Sequence, residues 1–177
     1  GKGNDSFRLT ELGKHERLHE VEFYVPMAPI TSKKLADKFA MNGRLGEKDS
    51  LPSFIRELGF KPVRGMLKGY MDMVFVRHSR YYLVDWKSNY LGDTIEDYTQ
   101  AHLVEEMARG LYALQYHLYV VALQKFLSLR VSDYAYDTHF GGVYYVFLRG
   151  VDTVKGSEYG VFFDRPSEQF VAELTQY

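Results

Sequence analysis

The stretch LKGYMDMVFVRHSRYYLVDWKSN, residues 67–89, most constrains the fold, because it sets Asp72 and Asp85 inside otherwise apolar, β-rich runs. Leu67 to Val76 and Tyr81 to Lys87, separated by Arg77-His78-Ser79-Arg80, predict a β-hairpin. With Val76 opposite Tyr81, each step back along the first strand matches a step forward along the second, so Asp72 falls opposite Asp85. Directly opposed side chains have β-carbons about 4.5–5.5 Å apart, and like charges placed there destabilise a sheet. A cation would remove that penalty. Side chains alternate faces, so Asp85 and Lys87 share one side of their strand, while Tyr82, Val84 and Trp86 share the other. Hard carboxylate oxygens with room for water suit Mg2+ or Mn2+, and no cysteine or close histidine pair points to zinc. The alternative is a solvated acid pair on an open sheet face, with Lys87 in a surface ion pair of little worth.

The rest of the chain supplies a core for that hairpin. A length of 177 residues with 46% hydrophobic content suits one domain with a sizeable interior. Residues 1–17 are expected to be a flexible lead-in or residual linker, and residues 18–177 the domain itself. Val21 to Val25 predicts a first strand, stopped by Pro26 and Pro29. Ser32 can cap a helix through Met41, and Ser50 with Pro52 can start another through Leu58, ended by Gly59. Between Thr94 and Arg130, the apolar residues Val104, Met107, Leu111, Leu114, Leu118 and Val121 step by three and four and line one helical face. Gly110 costs about 1 kcal/mol inside a helix, so two helices meeting near residues 109–112 are an equal reading to one long one. Gly142 to Leu148 is free of charge and predicts a strand buried on both faces, and Ser167 to Tyr177 predicts a terminal helix. Strands with interspersed helices give an α/β layer domain.

Bulk properties exclude several classes. No apolar run approaches the roughly 18 residues of a membrane helix, and no signal-peptide pattern opens the chain, so no membrane partner is expected. The absence of cysteine fits a reducing compartment, and a cytoplasmic location is the expectation. A net charge of -1 carries no global basic signature, so a nucleic-acid partner would be held by local clusters. Lys33, Lys34 and Lys38 form one such cluster, and the DNA-binding candidates Lys61, Arg64 and Lys68 another; a solvated face is the ordinary alternative for each.

Gly69-x-x-Asp72 followed by Asp85-Trp86-Lys87 resembles the core of the PD-(D/E)xK nuclease superfamily, and Gln115-x-x-x-Tyr119 resembles the helical Gln-Tyr motif of its RecB-type branch. GMLKGYMDMVF, YYLVDWKSNYLG, LQYHLYVVAL and HFGGVYYVFLRGVD are similar to phrases of that branch's C-terminal nuclease domains, with EVEFYVP as the first core strand. The similarity runs from about Leu18 to Arg165.

The resemblance implies a restriction-endonuclease-like α/β fold, with a central mixed β-sheet flanked by helices and without the family's first helix. It implies the nuclease domain of an exodeoxyribonuclease V-type helicase-nuclease that processes double-strand DNA ends for recombinational repair. Its partners would be DNA, an N-terminal helicase part, and RecC- and RecD-type subunits. By the family pattern, Asp72 and Asp85 bind Mg2+, with Mn2+ a substitute, the Trp86 backbone carbonyl adds a ligand, and Lys87 positions or activates water. Gln115 and Tyr119 lie one turn apart and would support the site by hydrogen-bonding the DNA backbone or a catalytic carboxylate. On residues alone they read as a helix-cap or core-edge pair.

Glu22 is a further supporting candidate from the adjacent strand, with an exposed strand carboxylate as its alternative. The family also takes a metal ligand from a histidine on a helix before the first core strand. His15 and His19 lie too close to the strand to match it and are expected at the surface, as are His78 and His102; spacing identifies no partner for His117 or His139. The expectation is a C-terminal fragment that begins after that helix, with weak or absent cleavage of its own. The competing reading is a non-catalytic DNA-binding or subunit-docking module with a nuclease-like fold. The intact Asp72, Asp85 and Lys87 argue against it, since a retired site has no physical need for opposed carboxylates.

Overall fold

A computed structural model describes residues 8–43, 45–46, 49–62 and 65–177. Its strands are β1 (Arg17–Met27), β2 (Gly65–Arg77), β3 (Arg80–Lys87), β4 (Phe140–Phe147) and β5 (Val161–Asp164). The helices are α1 (Ser32–Asn42), α2 (Leu51–Glu57), α3 (Gln100–Arg109), α4 (Tyr112–Ser128), α5 (Tyr136–His139) and α6 (Glu168–Thr175). The strands form one sheet in the order β1-β2-β3-β4-β5, antiparallel throughout except between β3 and β4, which run parallel across the α3–α4 crossover. The fold is therefore α/β with a mixed five-stranded sheet flanked by helices, as expected of a restriction-endonuclease-like core.

Several boundaries differ from the sequence expectation for physical reasons. Pro26 does not stop β1, because β1 lies at the sheet edge, where a missing N–H costs no ladder bond on the open side. Thr31, not Ser32, caps α1, its hydroxyl oxygen accepting from the Lys34 N–H at 3.2 Å. β5 and α5, four residues each, were not expected; elements this short leave no periodicity to read. The lead-in expected through residue 17 is not loose from Leu9 onward. Leu12, only 6% exposed, packs with Leu9 against Met73, Phe75, Val84 and Val146, and so covers the sheet face that the helices leave open.

The helices α1 to α6 bury the other face around Leu35, Phe39, Leu103, Met107, Tyr116, Val120 and Phe170. α3 ends at Gly110, and Leu111, at φ 56°, turns the chain into α4, which confirms the two-helix reading. His117 is wholly inside this layer. Its Nδ1 hydrogen-bonds the Ala113 carbonyl at 2.7 Å, and its ring packs against Phe39, Tyr116 and Phe170.

The β2–β3 hairpin has the expected register, with Val76 paired to Tyr81, but its loop is tighter than expected. Arg77 pairs with Arg80, leaving His78 and Ser79 as a two-residue turn at φ 47° and 63°. Positive φ at both central residues is the type I′ geometry that matches strand twist. At the other end the ladder stops at Met73 and Val84, so the expected Asp72 and Asp85 pair is not a ladder pair. The Asp72 carboxylate instead accepts the Trp86 backbone N–H at 2.8 Å, standing where a strand carbonyl would stand. Alternation also breaks here: Met71 and Val74 both face the helices, while Met73 and Phe75 face the opposite side. Across the β1 register, Glu20 falls opposite this break and adopts φ 51°, so both strands change facing at one point.

Two outcomes follow. Burial holds the His117 pKa down to about 4, well below its unfolded value, so the unfolded chain binds the extra proton first. Stability is then full above about pH 6.5 and falls by about 3 kcal/mol as pH drops to 4, a limb that His117→Phe should flatten in pH-resolved chemical denaturation. Ser79→Gly should raise stability by up to about 1 kcal/mol, read as a higher denaturation midpoint, because glycine adopts the left-handed turn position without a Cβ penalty.

Candidate functional site

The break at Asp72 and the end of β3 bring a compact set of polar groups under α4. Asp85, 6% exposed, faces the helical layer with Leu83, and Lys87 projects from the same side of β3. The Lys87 ammonium forms an ion pair with Asp85 Oδ1, with side-chain exposures of only 13% and 8%. That oxygen receives no hydrogen bond of ordinary geometry. Burial raises the Asp85 pKa; the neighbouring Lys87 opposes that rise and the Asp72 charge adds to it. The two carboxylates are therefore electrostatic neighbours although they are not ladder partners.

α4 supplies the roof. Gln115 Oε1 accepts from Lys87 Nζ at 3.3 Å and from the Tyr145 hydroxyl at 2.9 Å, while Gln115 Nε2 donates to the Tyr119 hydroxyl at 2.8 Å. Gln115 thus hydrogen-bonds the lysine rather than a carboxylate. Tyr119 is half-buried, and its phenol is pushed up to about 12 by burial first and then by the charges of Asp85 and Asp72. A groove of about 290 Å3, lined in part by Phe23, Gly69, Gln115 and Tyr119, opens beside this cluster. Gly69 is needed there, since a Cβ would sit 2.6 Å from the Phe23 ring, which itself packs edge-on to Tyr119 at 5.4 Å.

The other expected residues lie elsewhere. Glu22 is not gathered with Asp85: it is exposed on the outer face of β1, in an ion pair with Lys68 at 2.6 Å, and accepts the Tyr70 hydroxyl at 2.5 Å. These partners hold its carboxyl down to about 2, with Lys68 the larger cause. The Lys68 ammonium is thereby neutralised and also lies 5.2–5.3 Å from the Tyr24 and Tyr70 ring centroids. Lys61 is exposed, and Arg64 lies outside the described residues. Of the other basic group, Lys33 and Lys34 are exposed, and Lys38 pairs with Glu173 at 3.0 Å. His15, His19, His78 and His102 are exposed, as expected, and His139 Nδ1 contacts the Ala135 backbone.

Sequence reasoning missed Tyr112, Tyr145, Asn89 and Glu106. Lys87 Nζ lies 4.2 Å from the Tyr112 ring centroid and 5.0 Å from that of Tyr145. Tyr145 sits in a run read only as a buried strand, and its pairing with Asp85 depends on a parallel β3–β4 register that no local pattern encodes. Tyr112 adjoins the Gly110 break, a readable signal with no readable target.

Among the described residues no group of three or more His, Asp or Glu side chains gathers as a metal cage. The donor set still fits a hard divalent ion in its economical form. Mg2+ keeps several waters and is commonly held by one or two carboxylates plus substrate phosphate, and Asp85 and Asp72 are two neighbouring carboxylates. Among the described residues no helix is long and apolar enough to cross a membrane.

No protein-family model matches the chain. It is 40% identical over 169 residues to the RecBCD enzyme subunit RecB of Escherichia coli K12, covering 95% of this chain and 14% of that protein. The RecB subunit of Haemophilus influenzae is also 40% identical, over 166 residues, 94% of this chain and 13% of that protein. For that of Mycobacterium tuberculosis the identity is 35% over 193 residues, 99% of this chain and 18% of that protein. The chain spans about a seventh of the length of the E. coli relative, and over that shared segment it is a relative of the RecB subunits.

Proposed function

We propose that the chain is the metal-dependent nuclease module of a RecBCD-type enzyme, hydrolysing DNA phosphodiesters as double-strand ends are processed for recombinational repair. The single observation that carries this reading is a nearly dehydrated Lys87–Asp85 ion pair beside Asp72, held under Gln115, which with its partner Tyr119 lines an adjoining groove. Residues 18–177 form this module on the proposed reading, and DNA, a helicase portion and RecC- and RecD-type subunits are its partners.

Asp72 and Asp85, with the Trp86 backbone carbonyl, are the groups that would hold Mg2+ or Mn2+. The bound ion would stabilise charge on the phosphoryl oxygens and lower the pKa of the attacking water. Asp72 also accepts the Trp86 N–H, which fixes the Asp85–Trp86 peptide, the unit just before the Trp86 carbonyl offered as third donor. Lys87 offers a cation within reach of the scissile phosphate without competing as a metal ligand. Gln115 holds that ammonium, and Tyr119, protonated at neutral pH, can donate to a phosphate oxygen from the groove side. Burial excludes bulk water from Asp85 and strengthens each of these interactions.

In the complete assembly, Asp85→Ala and Lys87→Ala should each lower Mg2+-dependent cleavage of linear DNA by about 100-fold or more, with helicase activity retained. Wild-type cleavage by Asp85→Ala would remove the catalytic assignment. The 177-residue chain alone, gathering two carboxylates and no histidine, should cleave weakly or not at all in the same assay; vigorous metal-dependent cleavage would show that no further ligand is needed.

A further inference from the structure

We infer that Tyr112 and Tyr145 are positioning residues that hold Lys87 in its working orientation, with the α3–α4 break building the Tyr112 half of the cradle. The inference rests on the role given to Lys87 above. A lysine side chain is long and freely rotating, and a point-charge ammonium has no fork geometry to orient it. Here it is confined from three directions.

Asp85 meets the ammonium along β3, Gln115 from α4, and two aromatic rings cover it, with centroids 4.2 and 5.0 Å away. Aromatic faces carry negative potential and attract a cation most strongly where water is excluded, as it is around a side chain only 13% exposed. Tyr145 acts twice, since its hydroxyl also donates to the Gln115 oxygen that receives Lys87.

Tyr112 is itself held by a relay. Asn89 Nδ2 donates to the Tyr112 hydroxyl at 3.0 Å and to Glu106 Oε1 at 2.8 Å, and Glu106, buried at 6% exposure, accepts from Arg109 Nε at 2.9 Å. The break in the helix gives the ring its place. A Cβ on Gly110 would lie 2.7 Å from the Tyr112 ring, and the left-handed Leu111 makes Tyr112 the first residue of α4. A buried Glu, an Asn, a strained Leu and an unsubstituted Gly thus converge on one ring, and that ring covers one ammonium. Neither tyrosine needs to reach the substrate.

Two measurements test this. In the complete Mg2+-loaded enzyme, Tyr112→Leu should lower kcat for DNA cleavage by about 10-fold with KM changed by less than about 2-fold, while Tyr112→Phe, which keeps the ring, stays within about 3-fold of wild type. In the 177-residue chain without metal, the Lys87 ε-methylene proton signals should be shifted upfield by the rings, a shift kept in Tyr112→Phe and lost in Tyr112→Leu. Wild-type kcat in Tyr112→Leu, equal losses in both variants, or an unshifted Lys87 signal in the wild-type chain would overturn the inference. Should Asp85→Ala cleave like wild type, the hydrolytic reading fails, and the proton signals still decide whether the cradle exists.

Discussion

A lysine ammonium buried against one carboxylate is the interaction on which this site depends. Withdrawing a carboxylate and an ammonium from water costs several kcal/mol for each ion, and their mutual attraction offsets that only when further polar partners are supplied. The fold supplies them from separate elements: Gln115 from α4, Tyr145 from β4 and Tyr112 from the first turn after a helix break. An apolar pair of similar volume would be as stable or more stable in such a place. Keeping the ions, and burying Asp85 until its pKa rises, supports the proposed reading of a site shaped by chemistry rather than by stability.

The hairpin explains how acid comes to stand where core is expected. β2 runs beside β3 only as far as Met73, and at the next residue the chain needs an acceptor for the Trp86 N–H without a strand carbonyl to provide it. A carboxylate one bond longer than a backbone group fills that gap. The same point is where β2 and β1 exchange their inward and outward faces, with Glu20 taking a left-handed conformation to allow it. Before the switch Phe23, Gly69 and Met71 face α4; after it Val74 and Leu83 do. Asp72 thus sits at a corner of the sheet, bound to the strand that carries Asp85.

Much of this was legible in the sequence because it is local. Apolar periodicity located β2, β3 and α4, Gly110 marked the helix break, and the loop length fixed the hairpin register that carried Asp72 toward Asp85. Simple alternation then failed at the bulge-like corner, where one positive φ on a neighbouring strand is invisible to any pattern. Glu22 misled for the same reason: strand adjacency was readable, but not that Lys68 and Tyr70 would claim its carboxylate on the outer face. The aromatic cradle was illegible because Tyr112 and Tyr145 reach Lys87 only through the parallel β3–β4 pairing and the α3–α4 junction. Those are tertiary facts with no local signature.

Charge distribution gives the last step. The net charge is -1, and several cations outside the site are matched by local acids, Lys38 by Glu173, Lys68 by Glu22, Arg56 by Asp37 and Arg165 by Asp137. A chain so close to neutral has little net long-range attraction for a polyanion. On the proposed reading, DNA affinity then belongs to the much longer polypeptide in which its relatives carry this segment, and the module contributes chemistry at a dry, preorganised centre. On the same reading, with delivery handled elsewhere, the groove lined by Gln115 and Tyr119 would have only to orient one phosphate beside the buried ion pair.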